Sequence, residues 1–133
     1  MSRYPGTVRA KAGVVLSGLQ PAGLRLLAIV DQSAREFALD HVITCGREGH
    51  RPDDPHTRGL ALDVRSRSFG PARIVSLFHY FRQRLGRDFT VLYEVPAPPR
   101  DAHLVAIATV NRRATASHFH LQLKRGLSAW PAS

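Results

Sequence analysis

The sequence predicts an α+β domain in which a mostly antiparallel sheet is flanked by helices. Segments with helical spacing of apolar residues are outnumbered by segments of strand character. Their order is helix, strand, strand, helix, strand, strand, so helices do not alternate with strands as they do in a doubly wound sheet. A length of 133 residues suffices for one hydrophobic core and not for two, so 1–133 reads as a single domain.

The first twenty positions carry Pro5, Gly6, Gly13 and Gly18 and read as an irregular arm with a short strand at Val14 to Leu16. From Pro21 to Asp40, residues Leu24, Leu27, Val30, Ala34 and Phe37 recur at three-to-four spacing while charged residues fall largely off that stripe, the pattern of an amphipathic helix. His41 to Cys45 holds Val42, Ile43 and Thr44 in succession and reads as a strand. Gly49, Pro52 and Pro55 punctuate a polar loop before the next strand, Leu60 to Val64. Pro71 in a first helical turn and Gly86 past the last bracket a helix over 72–85, with Ile74, Leu77, Phe78, Phe81 and Leu85 as its buried face. Phe89 to Val95 is a strand that Pro96, Pro98 and Pro99 stop. Leu104 to Val110 reads as an extra strand, and the residues up to Ala116 as an exposed turn. His118 to Leu123 alternates, with His118, His120 and Gln122 on one face and Phe119, Leu121 and Leu123 on the other.

Hydrophobic residues at 44% and charged residues at 22% exclude a disordered or fibrous chain. Apolar runs such as Leu26 to Val30 fall far short of the roughly 20 residues a bilayer span requires, so no membrane span is expected. No basic segment, apolar core and small-residue cleavage site follow Met1 in that order, so synthesis in the cytoplasm without a signal peptide is expected. A single cysteine, Cys45, excludes an internal disulfide and every Cys-rich zinc motif, and its apolar strand makes it a small buried hydrophobe. Nineteen Lys and Arg against ten Asp and Glu give a net charge of +9 and predict attraction to a polyanion: nucleic acid, an anionic membrane surface or an anionic cell wall. Aromatic residues fall on expected buried faces rather than among basic ones, which disfavours a base-stacking nucleic-acid binder.

The chain has seven histidines, and four of them, His50, His56, His118 and His120, fall in or beside the central loop and the last strand. Imidazole is the commonest nitrogen ligand of zinc, and in hydrolytic sites histidine and carboxylate ligands leave a fourth position for water. His56 stands at a loop end and Asp63 inside a strand, between Leu62 and Val64. A carboxylate buried there is costly without a cation or hydrogen-bond partners; the alternative is an outward Asp63 paired with Arg65 or Arg67. His118 and His120 share a strand face at a spacing of about 6–7 Å. His41, His79 and His103 have no partner pattern.

The string His56-Thr57-Arg58-Gly59-Leu60-Ala61-Leu62-Asp63, followed late by His118-Phe119-His120, resembles the zinc D-alanyl-D-alanine carboxypeptidase superfamily, which includes phage endolysin peptidases, lysostaphin-type enzymes and the Hedgehog signalling domain. Val42 to His50 and Asp63-Val64-Arg65 are similar to the small phage-type members, and Phe89 to Glu94 is similar to the strand that precedes the His-x-His strand. The resemblance implies a zinc site on the sheet face held by His56, Asp63 and His120, with Glu94 as proton carrier and His118 as donor to the transition state. It further implies that Arg47, with Arg51 as competitor, grips a substrate carboxylate; His50, in the same loop, is expected either to line the cleft or to support a zinc ligand from behind. The implied activity is a zinc metallopeptidase, of carboxypeptidase or endolysin type, that hydrolyses peptidoglycan stem peptides after phage-type release to the wall. The chain departs from the family pattern in having Asp54 where many members have Ser, Ser117 where they have the Glu of Glu-x-x-His, and a long segment between Glu94 and His118. Two other readings keep the same residues: a zinc-holding wall-binding module without turnover, and a small basic nucleic-acid-binding protein whose histidines are incidental.

Overall fold

A computed structural model describes residues 6–49, 51–127 and 129–131. Their elements are β1 (Val8–Ala10), α1 (Pro21–Glu36), β2 (His41–Cys45), β3 (Ala61–Arg65), α2 (Pro71–Leu85), β4 (Phe89–Val95), α3 (Ala102–Ile107), β5 (Ala108–Val110) and β6 (His118–Leu123). The six strands form one sheet in the order β1-β2-β3-β6-β4-β5.

The α+β class fits, but the sheet is mixed rather than mostly antiparallel. β2, β3, β6 and β4 are joined by antiparallel ladders, whereas β1 runs parallel to β2 and β5 runs parallel to β4. In both edge pairs a helix separates two neighbouring strands, α1 between β1 and β2 and α3 between β4 and β5, and a helical crossover returns the chain to pair in the same direction. Both edges fall where the sequence signal is misleading. The first strand is Val8–Ala10, not Val14 to Leu16, because residues 8–10 pair with His41 to Ile43 while Val15 is bound to the loop through Glu48 and Arg47. The apolar run 104–110 is split. Asp101 Oδ1 accepts from the backbone N–H groups of His103 and Leu104 at 2.8 and 3.2 Å, which starts a short helix before the chain extends into β5.

α1 is also rotated from the expected stripe. Its buried residues are Ala22, Gly23, Leu26, Ile29, Val30, Ser33 and Ala34, while Leu24 is 54% exposed. Small residues decide this face: a Cβ on Gly23 would lie 2.2 Å from the Gly59 carbonyl oxygen, so the helix start sits directly on the loop before β3. α2 buries the expected Ile74, Leu77, Phe78, Phe81 and Leu85, with Tyr80 beside them. Leu26, Ile29, Leu77 and Phe81 pack on Ile43, Leu62, Val64, Phe119 and Leu121 of the sheet, and the Phe81 and Phe119 rings meet edge to face at 5.3 Å. Each such side chain contributes about 1.5–3 kcal/mol by leaving water. Alternation along β3, β4 and β6 then sends Asp63, Arg65, Glu94, His118, His120 and Gln122 to the opposite face.

Candidate active site

Register sets the chemistry of that opposite face. Arg65 of β3, His118 of β6 and Glu94 of β4 are direct cross-strand partners and form one row. The next row runs Cys45, Asp63, His120 and Leu92. The third is Ala61, Gln122 and Thr90. His56 comes from the loop before β3 and is 6% exposed. Asp54 Oδ1 accepts from the His56 backbone N–H at 2.8 Å, a turn that a serine hydroxyl could also make. Gly59 closes the loop with φ 76°, and a Cβ there would lie 2.9 Å from the Gln20 nitrogen.

Asp63 is the hub. Its Oδ1 lies 2.8 Å from His120 Nδ1 and 3.4 Å from His56 Nε2, and its Oδ2 lies 3.8 Å from His118 Nε2. Burial opposes its ionisation, yet the hydrogen bonds of His120 and His56 and their electrostatic pull outweigh burial and hold the carboxyl well below the usual carboxylate range. Asp63 is therefore turned into the site, and neither Arg65 nor Arg67 forms an ion pair with it.

His118 has both ring nitrogens on acceptors, Nδ1 on the Ala116 carbonyl at 3.0 Å and Nε2 on Glu94 Oε1 at 3.0 Å. Neutral imidazole has only one N–H, so this arrangement favours the imidazolium. Burial works against that charge, but Glu94, Asp63 and the carbonyl prevail and raise the His118 pKa to about 9. The hydrogen bond from His118 in turn lowers Glu94, with burial opposing. Asn111 donates to the other Glu94 oxygen at 3.3 Å, fixing the carboxylate plane.

The row around Asp63 holds donors of the kind that bind a metal ion. Both His120 ring nitrogens face oxygen atoms, Nε2 the Gln122 amide oxygen and Nδ1 Asp63 Oδ1, each at 2.8 Å, so the ring donates to Asp63 here, and a cation taking Nδ1 as ligand would displace that proton. Among the described residues the group whose ligand atoms all lie within 4.8 Å of one another, and which could hold a metal ion, is Cys45, His56 and Asp63; His120, the expected third ligand, is not in it, although its Nδ1 meets Asp63 Oδ1. Cys45 reaches this row through a β-bulge: Ile43 pairs with Val64 but Cys45, not Thr44, pairs with Asp63. Without the extra residue Cys45 would face the core, the position that its apolar neighbours suggest. Burial, followed by the Asp63 and Glu48 charges, pushes its thiol pKa above the ordinary range.

The remaining residues of the sequence reading fall elsewhere. Arg47 donates through Nε to the Thr57 carbonyl and through Nη1 to the Ser17 carbonyl, both at 2.9 Å, and so ties the amino-terminal arm to the His56 loop. Arg51 is exposed and lies 3.8 Å from Asp53. His50 lies outside the described residues. Asn111, Gln122 and Cys45 join the site without having been expected in it from residue type or spacing. Gln122 was in reach, since it shares a strand face with both histidines; Asn111 depends on the β4–β5 pairing, and Cys45 on the bulge.

Two clefts flank this centre. One, of about 600 Å³, has Asp63 and His118 in its lining, and the other, of about 480 Å³, has His56, Glu94 and His120. No family model, curated protein or solved structure matches the chain. Among the described residues no helix is long and apolar enough to cross a membrane.

Proposed function

We propose that the protein is a zinc metallopeptidase that hydrolyses peptidoglycan stem peptides, with zinc held by His56, Asp63 and His120. The observation that carries this reading is the pairing of two rows on one sheet face: metal-type donors around Asp63, and beside them the Glu94–His118 pair. Bound zinc supplies Lewis acidity toward a scissile carbonyl and lowers the pKa of water. Glu94 accepts a proton from the attacking water and passes it to the leaving amine, taking the place of the family's Glu-x-x-His carboxylate, with Asn111 fixing its orientation. His118 offers positive charge to the oxygen that becomes negative. Gln122 holds the His120 ring. Clefts on both sides leave room for a peptide to cross the centre. The surplus of positive charge favours an anionic wall polymer.

The test is elemental analysis of purified protein together with hydrolysis of a defined stem peptide. About one zinc per chain, and cleavage that a chelator stops and added zinc restores, are expected. A metal-free protein inert toward the peptide with zinc added would falsify the proposal.

Cys45 favours one competing reading. If its sulfur joins His56, Asp63 and His120 as a fourth protein ligand, the site is closed in the manner of structural zinc and the chain is a wall-binding module without turnover. Cobalt substitution separates the two. A thiolate-to-cobalt charge-transfer band that vanishes in Cys45→Ser supports the closed site, and a spectrum unchanged by Cys45→Ser supports the hydrolase.

A further inference from the structure

His56 differs from the other expected metal ligands in what carries it. Asp63 and His120 are direct cross-strand partners in one ladder, so the sheet itself fixes their spacing. His56 stands on the loop before β3, and a side chain on a loop is held only as firmly as the contacts behind that loop hold the backbone.

Those contacts come from the amino-terminal arm and from Arg47. The three carbonyls that follow His56 each accept a hydrogen bond from them: Thr57 from Arg47 Nε at 2.9 Å, Arg58 from Gln20 Nε2 at 2.6 Å, and Gly59 from the Gln20 backbone N–H at 3.2 Å. Arg47 is itself fastened to the arm. Its Nη1 donates to the Ser17 carbonyl and its backbone N–H to the Val15 carbonyl, both at 2.9 Å, and Glu48 accepts from the Val15 N–H at 2.8 Å. The guanidinium lies so close to Gly18 that a Cβ there would be 2.2 Å from Nη1. Inside the loop, Gly59 N–H donates to the His56 carbonyl at 3.0 Å and Leu60 N–H to the Pro55 carbonyl at 2.9 Å, so the turn moves as a unit and a displacement at Thr57 carries His56 with it.

We propose that Arg47 is a positioning residue for the metal centre: it bridges the arm and the loop through two backbone carbonyls and thereby holds His56 beside Asp63 for a metal ion. The proposal rests on the reading of His56 as a metal ligand, and it assigns to Arg47 metal retention in place of a substrate contact. A guanidinium suits this bridge because its N–H groups are fixed in one plane and point in different directions, so a single side chain reaches two carbonyls and keeps its charge at any working pH. Gln20 secures the next two carbonyls from the arm and acts in the same sense. A ligand held in place before the ion arrives pays less ordering entropy on binding, so the bridge is expressed in affinity for the metal.

The experiment measures the zinc affinity of the full chain by competition with a chromophoric chelator, and its melting temperature with and without zinc; neither readout requires hydrolysis. Arg47→Met keeps the length of the side chain and removes the guanidinium. Zinc should bind about 10–100-fold more weakly, the scale for groups that support a metal ligand from behind, and the rise in Tm on adding zinc should shrink with it. Arg47→Lys keeps the charge but cannot span both carbonyls, and should show a loss of the same order. Gln20→Met should show a smaller loss, and KM for the stem peptide at saturating zinc should stay at the wild-type value in all three. Wild-type zinc affinity in Arg47→Met, or an equal fall in Tm with and without zinc, overturns the proposal, because the side chain then only stabilises the fold. Should Arg47→Met fail to fold, wild-type zinc affinity in Gln20→Met overturns it equally. A raised KM at saturating zinc with unchanged zinc affinity overturns it in favour of a substrate contact. No zinc uptake by the wild type overturns it together with the metal reading, whereas the expected losses of affinity in a chain that hydrolyses nothing leave it standing and remove the peptidase reading.

Discussion

His41 and His120 lie on strands separated only by β3, both in surroundings that disfavour charge, yet their pKa values are shifted in opposite directions. His41 is 0% exposed, with the rings of Phe69 and Phe81 at 5.7 and 5.9 Å. Ser33 donates its hydroxyl proton to the Val30 carbonyl at 2.7 Å, so it can only accept from His41 Nε2, at 2.8 Å. That leaves a neutral ring, and burial lowers the His41 pKa to about 4 against the pull of Asp40. His120 suffers the same burial penalty, but the bond and charge of Asp63 raise its pKa above the ordinary value. Burial therefore does not fix the charge of a histidine; the partner does. On the core side the partner is a hydroxyl, and on the opposite face it is a carboxylate able to take a cation.

Removing the hub should have the largest effect. Asp63→Ala leaves His56 and His120 without their shared acceptor, and both zinc content and hydrolysis should fall to background. Retention of one zinc per chain by that variant, measured by elemental analysis, would place the metal elsewhere. Glu94→Gln comes next: it keeps the shape of the side chain and its contact with Asn111 but removes the base. Zinc should be retained and turnover reduced by about 10²–10⁴-fold, read as kcat on the stem peptide.

His41 sets a pH dependence of its own. Its folded pKa is depressed, so the stability it contributes is complete above pH 6.5, the unfolded value, is lost as pH falls, and levels off below about 4. The whole loss is on the order of 3 kcal/mol. Urea midpoints of chelator-treated protein between pH 7 and 4 should show this limb, and His41→Leu should flatten it; an equal slope in the variant assigns the limb to other groups. Ser33→Ala, the mildest change, takes away the acceptor of a buried N–H and should cost about 1–3 kcal/mol near neutral pH, measured by the same unfolding.

The sequence alone determined the elements whose signal is local. β2, β4 and β6 carry alternation or β-branched runs long enough to set their ends, and Pro71 and Gly86 frame α2. It also placed His56, Asp63, Glu94, His118 and His120 in one candidate site, because motif spacing and strand alternation survive folding unchanged. What depends on a partner distant in the chain was decided only by the tertiary structure. The parallel edges needed knowledge of which strand lies beside which, and the rotation of α1 followed from the close approach of Gly23 to Gly59. Cys45 entered the metal row through one bulged residue, since a strand's period of two turns a single insertion into a change of face. Arg47 has the side chain that carboxylate recognition requires, but two backbone carbonyls claim it, whereas Arg65, Arg67 and Arg113 acquire a common cleft only when the segment leading into β6 returns beside the end of β3. Residue type and spacing fix what a side chain can do, and the surrounding fold fixes which of those bonds is still open to a ligand.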